Sequence, residues 1–382
     1  MNANKNQTKS FFIAIAVLLI VSLACGSTDN QTQPPSTDGQ GQSEPSELPQ
    51  KTNTPQPTNT PRPTLTPTLV LIGLSRNNPY PLSELVSAPN WDVQVLEVKR
   101  GEGAWTDIHA ANMFNEPAPE GMEYLLVKIH VKSTYTDSDA HTINGCYIDV
   151  TGDRLIAYTC SMASVVEPEP QLDAKLYTGG EAEGWAAYPV GQGEGNLILV
   201  VNESWNFDEN AIRYIALDEG ASIGISPDLA SIQSTDIGVK RNTPAHRTEK
   251  VISEDWEISV LEVIRGDEAW AMVYGVNKFN DPPEEGMEYI AVKIQARYIG
   301  TEDRAENIDN SSFHTTGSAG VLYDRPYVIG PDPELSVSLY PGGEYVGWVI
   351  VQAAKGETGL MLVFEPLFDI SDKNNRFISL EP

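Results

Sequence analysis

The chain has 382 residues, 40% of them hydrophobic, so it can bury two domain-sized cores and still carry segments that bury none. Its 53 Asp and Glu residues outnumber 25 Lys and Arg residues, and the formal net charge of −28 repels nucleic acid and anionic membrane surfaces. We therefore expect no nucleic-acid partner. The acidic residues are scattered, which favours solubility at a cell surface over the alternative, capture of cations or basic partners.

Residues 1–25 predict an export signal. Two lysines precede an uncharged apolar stretch at residues 11–24, which is too short to cross a bilayer. The stretch runs into Cys25 and resembles the processing site of bacterial lipoproteins, in which the cysteine becomes the lipidated first residue. Ser22 departs from that pattern, which usually has Leu there. We expect acyl chains on Cys25 to anchor the protein to the membrane, the alternative being an ordinary secretory signal with an incidental cysteine.

Residues 26–72 predict a disordered stalk rich in Pro and Thr. Ser, Thr, Gln, Asn and Pro dominate this segment, which has too few large apolar residues to bury a core. Alternating prolines favour an extended geometry of about 3.1 Å per residue, so the stalk could hold a domain roughly 100 Å from the membrane. The alternative is a proline-rich ligand for a recognition domain.

The remaining chain contains two copies of one sequence unit. Residues 91–98 (WDVQVLEV) return 165 positions later as residues 256–263 (WEISVLEV). After a net loss of two residues the match resumes at a spacing of 163, where the Gly-Gly-Glu at 179–181 returns at 342–344. A self-match of this length indicates that one copy is the unit of folding.

The copies begin near Gly73 and Gly238, which match at the first of these spacings. We expect one domain at residues 73–220 and a second at residues 238–382, joined by an interdomain linker at residues 221–237. The sequence leaves open whether the two domains pack together.

Each copy has the pattern of short strands separated by turn residues, and no sustained helical periodicity competes with it. The strands predicted in the first copy are residues 93–98, 124–131, 146–150, 155–160, 184–190, 197–201 and 212–217. About seven short strands per copy predict an all-β protein of two tandem immunoglobulin-like antiparallel β-sandwich domains. A β-barrel is the alternative, since spacing does not reveal whether a sheet closes.

Two cysteines remain once Cys25 is assigned to lipid. Cys146 and Cys160 flank a predicted hairpin, and antiparallel pairing places them nearly opposite, where a cross-strand disulfide is possible. Ser311 and Arg325 occupy these positions in the second copy, so the bond would staple one copy only, worth about 2–3 kcal/mol. The alternative, a metal or redox dithiol, lacks close C-x-x-C spacing.

Three motifs resemble a known domain. They are Gly-Met-Glu-Tyr at 121–124 with the alternating strand after it, the hairpin around Gly152-Asp153, and Leu-Tyr-x-Gly-Gly-Glu-x-x-Gly-Trp at 176–185. Together they resemble a domain of unknown function in bacterial surface lipoproteins, whose fold is similar to telokin and other immunoglobulin-like sandwiches. Family members often follow a lipoprotein signal and a low-complexity linker. The resemblance implies an extracellular interaction or structural domain, without catalytic residues.

The sequence carries no motif for catalysis or cofactor binding. A nucleophile elbow, a zinc-protease motif, a phosphate loop and calcium-loop spacing are all missing. The five histidines have no histidine counterpart at the matching position of the other copy. We expect no enzyme activity, no catalytic residue, no metal site and no cofactor.

Both copies keep a polar segment between their first two strands, and it is the candidate binding loop. The candidate residues are Trp105, Asn112 and Asn115 in the first copy and Trp270, Asn277 and Asn280 in the second. Phe114 and Phe279 lie among them. Aromatic rings and amides suit contacts with a protein or a glycan, whereas the alternative is that they build turns and plug the end of a sandwich.

These observations predict a protein lipid-anchored at the bacterial cell surface, with its domains extracellular. The two β-sandwich domains would serve interaction or envelope structure. The alternative is a ligand-capturing lipoprotein that binds a sugar, peptide or cation for a transporter or enzyme. An acidic cleft between the domains would favour the alternative, and two separated domains without a pocket would favour display.

Overall fold

Each repeat is built from antiparallel strands and one short helix in the computed structural model, which describes residues 71–202, 211–366 and 373–382. The predicted signal, Cys25 and the predicted stalk up to residue 70 lie outside these residues. The first repeat contains β1 (Val86–Ser87), β2 (Trp91–Arg100), α1 (Glu102–Ala111), β3 (Met122–Ser133), β4 (His141–Asn144), β5 (Ile148–Thr151), β6 (Asp173–Leu176), β7 (Glu181–Gly191), β8 (Ile198–Val201) and β9 (Arg213–Ala216).

The second repeat follows the same order of elements. It contains β10 (Val251–Ile252), β11 (Trp256–Arg265), α2 (Asp267–Val276), β12 (Met287–Tyr298), β13 (Glu306–Asp309), β14 (Phe313–Thr316), β15 (Leu322–Tyr323), β16 (Ser336–Leu339), β17 (Glu344–Ala354), β18 (Met361–Phe364) and β19 (Arg376–Ser379). The additional strand β15 lies where the first repeat has only isolated bridges.

The sheets of the two repeats correspond strand by strand. One sheet has the order β1-β2-β3-β7 in the first repeat and β10-β11-β12-β17 in the second. The facing sheet has the order β5-β8-β9 in the first repeat and β15-β14-β18-β19 in the second, and β4–β6 and β13–β16 form additional pairs. The prediction of an all-β chain with two tandem antiparallel β-sandwiches is confirmed.

Alternating side chains build the core of the first sandwich. Val93 and Val95 of β2 and Val127 of β3 are buried in one apolar cluster with Leu199 of β8 and Ile215 of β9. Successive side chains of a strand point to opposite faces, so this alternation buries one face of each sheet between the two.

The helices α1 and α2 correct the expectation that the repeats contain no helix. Each has ten residues and buries only two of them, Ala104 and Ile108 in α1 and Ala269 and Val273 in α2. Two apolar residues one turn apart are too weak a pattern to stand out in a sequence dominated by strands. No helix in the described part of the chain is long and apolar enough to span a bilayer.

Two strand predictions near the cysteines also need correction. The predicted strand 146–150 begins at Ile148, because residues 145–147 form a 3-10 turn. The predicted strand 155–160 is not a regular strand, because it forms only isolated bridges, through Ile156 and Tyr158.

The bridge of Ile156 crosses from one repeat to the other. Ile156 pairs with Leu339 at the end of β16, and the N–H of Ala157 donates to the carbonyl of Ser338 at 2.9 Å. On its other side this segment pairs with β5, where Val150 and Tyr158 exchange two backbone hydrogen bonds. Backbone pairing therefore runs through this segment from the second repeat into the first, and the described residues belong to one compact unit.

Strand β8 is buried on both faces, and this explains why the repeats pack together. Leu199 and Val201 face the sandwich core, whereas Ile198 and Val200 belong to a separate cluster that includes Tyr340 of the second repeat. Residues Ala221 and Ile223 of the predicted linker join the same cluster. We call this cluster the junction.

Arg76 closes the junction with a buried charge. Its side chain is fully buried, its Nε donates to Asp303 of the second repeat at 2.6 Å, and its guanidinium lies 4.0 Å from the centre of the Tyr340 ring. Removing one partner of a buried ion pair leaves the other charge uncompensated, so the pair opposes separation of the repeats.

Asp149 brings a carboxyl group to the junction. It lies on β5 opposite Val200, and its neighbours Ile148 and Val150 face the sandwich core, so its side chain belongs to the junction face. Burial removes water from the charged form and raises the pKa of this carboxyl to about 7. His314 occupies the matching position of the second repeat.

Replacing Asp149 by Asn is expected to change how the free energy of unfolding depends on pH. An unfolded aspartate has a pKa of about 3.9, so the folded protein holds this proton more tightly. Its stability therefore falls as the pH rises from about 4 through about 7. Asn stays neutral, so D149N is expected to exceed the wild type by on the order of 2–4 kcal/mol at about pH 8 and to differ little at about pH 4.

Urea unfolding of both proteins at these two pH values measures the effect. The same substitution at Asp228, an exposed aspartate outside the junction, is the matched control and is expected to leave the difference between the two pH values as in the wild type. An equal effect of D149N at both pH values would contradict the assignment.

Candidate binding loops

A tight turn leads from the first long strand of each repeat into its helix. Gly101 and Gly266 precede α1 and α2 with φ of 59° and 70°, in the left-handed region that a side chain disfavours. Each helix packs its buried residues on the outer face of the adjoining sheet, in contact with β3 or β12. The predicted binding loop is therefore a helix followed by a short loop.

Trp105 and Trp270 lie on these helices rather than in loops. Trp105 is half-buried in a cluster under α1, with its ring 6.1 Å from that of Tyr124. Trp270 lies in the matching cluster under α2, with its ring edge-on to that of Tyr289 at 6.0 Å. Both rings help to seat the helix on the sheet.

Asn112 and Asn277 end the helices and shape the loops that follow. The side-chain oxygen of Asn112 accepts a hydrogen bond from the N–H of Phe114 at 3.1 Å, and that of Asn277 accepts from Phe279 at 3.0 Å. Asn favours such local bonds to a backbone N–H two residues later. The two loops therefore turn in the same way.

Asn115 ties the first loop to a distant segment. Its Nδ2 donates to the carbonyls of Ile108 and Val166, both at 2.8 Å, and its Oδ1 accepts from the N–H of Val166 at 2.9 Å. The carboxamide thus pairs with Val166 as a strand backbone would. Asn115 is buried, and all of these bonds are internal.

Asn280 repeats this arrangement in the second loop. Its Nδ2 donates to the carbonyls of Val273 and Ile329, both at 2.9 Å, and its Oδ1 accepts from the N–H of Ile329 at 3.0 Å. The four asparagines named by the sequence therefore build the loops with their amides. The aromatic rings that the loops leave exposed are Phe114 at 83% and Phe279 at 93%.

Two glycines allow the segments that follow Val166 and Ile329 to pass close to strands β7 and β17. A Cβ atom on Gly184 would lie 2.3 Å from the backbone of Leu172, and one on Gly347 would lie 2.6 Å from that of Leu335. Side chains there would push the crossing segments away from β7 and β17. This is the physical reason for the Gly-Trp pair that recurs in both copies.

A pocket of about 290 Å³ lies beside α1. Its aromatic and apolar wall includes Trp105, Tyr124 and Met122, and its polar wall includes Glu102 and Glu123. The candidate residue Trp105 therefore borders a space that could admit a small ligand, although its ring also packs in the cluster under α1.

The structure joins Cys146 to Cys160 by a disulfide, with Cα atoms 5.0 Å apart. Both cysteines lie in 3-10 turns rather than on paired strands. In the second repeat Ser311 takes the first of these positions and bonds to Asp309. The disulfide thus staples the hairpin that leads into the junction.

Two buried carboxylates stabilise turns. Glu194 accepts from the Tyr158 hydroxyl at 2.6 Å and from two backbone N–H groups, and Glu357 of the second repeat accepts from the Tyr323 hydroxyl at 2.9 Å. Burial, together with the hydrogen bond to Glu194, raises the pKa of the Tyr158 hydroxyl above its usual range. Each copy makes such a tyrosine–glutamate bond, and these bonds stabilise the fold. In the described residues no group of three or more His, Cys, Asp or Glu side chains could hold a metal ion.

A shallow depression of about 470 Å³ lies where the repeats meet. Its lining combines Asp153 and Arg154 of the first repeat with Gln295, Glu344 and Tyr345 of the second. The sequence left open whether the repeats pack together; in the structure they do, and the depression carries both acidic and basic groups.

Comparison with known proteins gives likenesses to solved structures alone, because no family model and no curated protein matches. The yjhA protein of Bacillus subtilis is 15% identical with a TM-score of 0.25, and the likeness covers 36% of this chain and 99% of that one. A candidate lipoprotein of Bacillus subtilis, ycdA, is 13% identical with a TM-score of 0.26, over 35% of this chain and 38% of that one. An uncharacterized β-sandwich protein of Clostridium difficile is 9% identical with a TM-score of 0.23, over 37% and 96%. At these values the likenesses carry no argument about function.

Replacing Asn115 by Ala is expected to destabilise the protein and loosen the loop. The change leaves the N–H and carbonyl of Val166 without their partner, at a cost of about 1–3 kcal/mol. Urea unfolding measures the loss, and hydrogen exchange of the Val166 amide measures the loosening. Asn307→Ala is the matched control, because that exposed amide makes only bonds of 3.5 Å, and we expect a change within about 0.5 kcal/mol. Equal effects of the two substitutions would contradict the role of Asn115.

Proposed function

We propose that this protein is a lipid-anchored surface protein whose two β-sandwich repeats form one display body for a partner outside the cell. One observation carries the proposal: the same loop recurs in both repeats, held by the same asparagine bonds, and each copy presents an exposed phenylalanine, Phe114 or Phe279. Loops on a sandwich scaffold commonly carry binding function.

The anchor and the location are supported by the sequence. The apolar stretch at 11–24 followed by Cys25 has the form of a lipoprotein signal, and residues 26–72 have the composition of a spacer. The disulfide of the first repeat suits an oxidising compartment outside the cytosol. The motifs that resemble the surface-lipoprotein domain of unknown function support the same assignment.

The junction supports display of both loops by one body. Tyr340, Ile198 and Val200 share a buried cluster, and the pair of Arg76 with Asp303 crosses the same contact. Buried apolar contact of this kind opposes free rotation of one repeat against the other. Two loops on one body can engage a single partner at two points, which raises the effective affinity without new contacts.

A second function, capture of a small ligand, is favoured by the depression where the repeats meet. Sites between packed units are common places for ligands, and the groups of Arg154, Gln295 and Glu344 could bind a polar molecule. The ligand class would be a sugar, a peptide or a cation.

The anchor is tested by replacing Cys25 with Ser. A serine cannot form the thioether that holds the lipid, so we expect C25S to lose incorporation of a radiolabelled fatty acid and to leave the membrane fraction. Ser22→Leu, which restores the residue usual at lipoprotein sites, is the matched control and is expected to keep the label. A wild-type protein without label, or a labelled C25S, would overturn the lipid anchor.

Ligand capture is tested by thermal unfolding with divalent cations, short peptides and oligosaccharides. A ligand that binds only the folded state raises the melting temperature further as its concentration rises, and Glu344→Gln is expected to reduce that rise. Glu181→Gln is the matched control, because Glu181 holds the same position in the first repeat with the same 52% side-chain exposure but does not line the depression. An equal rise in both variants, or no rise with any ligand class, would rule out this function.

A further inference from the structure

Each repeat exposes a patch of apolar side chains where its helix ends. The first patch consists of Met113, Phe114 and Val166, which are 73%, 83% and 43% exposed. The second patch consists of Tyr274, Val276, Phe279, Tyr327 and Ile329, with exposures between 43% and 93%. Single exposed apolar residues are ordinary on a protein surface, whereas contiguous patches mark interaction sites.

The asparagine bonds hold both patches in place. Asn115 fixes Val166 beside the loop of Phe114, and Asn280 fixes Ile329 beside the loop of Phe279. A loop already held in its bound shape loses little conformational entropy when a partner docks. The loops that carry the exposed rings are therefore preorganised for contact.

The chemistry of the patches favours a polypeptide over a glycan. A glycan site needs free donors and acceptors for hydroxyl groups, but Asn115 and Asn280 use both ends of their carboxamides for internal bonds. The side-chain oxygens of Asn112 and Asn277 also accept internal bonds. The largest exposed side chains of the two patches are apolar. Phenyl, thioether and aliphatic groups gain most from burial against apolar side chains of another protein.

The surrounding charge favours a basic polypeptide. A groove beside the first patch shares Val166 with it, and its acidic lining residues are Asp107, Glu167 and Glu169. Lys99 already pairs with Asp107 at 2.7 Å, so Glu167 and Glu169 supply the acidic charge that a partner would meet. None of the described residues that line this groove is basic. Complementary charge steers association, so lysine or arginine flanking the apolar residues of the partner would fit here, whereas an anionic membrane surface would be repelled.

The second patch depends less on charge. Met272 and Gly330 stand where the first repeat has Asp107 and Glu167, and only Asp332 keeps the acidic character of Glu169. Lys278 adds a positive charge, 5.1 Å from the centre of the Tyr274 ring. Binding at the second patch should therefore resist salt better than binding at the first.

We propose that the two patches are paired docking sites for a polypeptide segment that carries apolar side chains between lysines or arginines. The proposal deepens the display function and rests on it only for the place where the partner is met. Binding in solution does not depend on the anchor, so failure of the C25S experiment and failure of this one are distinguishable.

The test measures fluorescence anisotropy of a labelled synthetic peptide of alternating lysine and leucine, added to the purified chain carrying Cys25→Ser. We expect two peptides bound per chain. Phe114→Ser and Phe279→Ser should each lower the affinity of the altered patch about tenfold, and the double variant should weaken both patches by the same factor. Added salt should weaken the binding that remains in F279S more than the binding that remains in F114S.

Three controls distinguish docking at the patches from general loss of an exposed ring, from misfolding and from unspecific peptide binding. Tyr177→Ser removes an aromatic ring that is 66% exposed outside both patches and should leave binding unchanged, and the melting temperature of every variant reports an intact fold. Peptides with glutamate in place of lysine, or serine in place of leucine, should bind at least about tenfold more weakly. Unchanged binding in the double variant, equal binding of the control peptides, or Phe-dependent binding of an oligosaccharide or of anionic vesicles instead would overturn the proposal.

Discussion

Burial of Tyr340 against the outer face of strand β8 determines how the rest of the molecule is arranged. Every side chain of β8 is apolar, so neither face of this central strand is suited to water. One face is covered by the facing sheet of the same repeat, and the other requires cover from elsewhere. The second repeat and the predicted linker supply it, which is why the tandem copies form one compact unit.

The junction makes two equivalent copies unequal. Tyr177 occupies the position in the first repeat that Tyr340 occupies in the second, yet Tyr177 is 66% exposed and Tyr340 is 4% exposed. Likewise Ile156 is buried against Leu339, whereas Val321 at the matching position is 47% exposed. The residues themselves are similar, so their burial depends on whether the other copy lies against them.

Features that depend on local pattern could be predicted from the sequence, and features that depend on distant partners could not. The match between 91–98 and 256–263 correctly implied one fold twice, because a long shared pattern of apolar residues has to make the same sheets. The interrupted segment 155–160 resembled a strand, but its partner Leu339 lies in the other repeat and no local pattern indicates it.

The loops illustrate the same limit for function. Both copies keep their aromatic and amide residues, and this repetition was sufficient to locate the loops in the sequence. The sequence did not reveal which loop residues hold the fold and which stay exposed, since the role of Asn115 depends on Val166, 51 positions away. Only the backbone atoms that it pairs with reveal that the Asn115 carboxamide is fully bonded, whereas Phe114 stays exposed.

The acidic net charge allows the chain to expose apolar rings without associating with its own copies. A chain with contiguous apolar patches is at risk of associating with its own copies, and a net charge of −28 opposes that contact by repulsion between like surfaces. The same charge would suit the basic polypeptide proposed above, whose lysines or arginines would lie near Glu167 and Glu169 beside the first patch. Solubility and capture of a basic partner, which composition presents as alternatives, are therefore compatible consequences of one charge distribution.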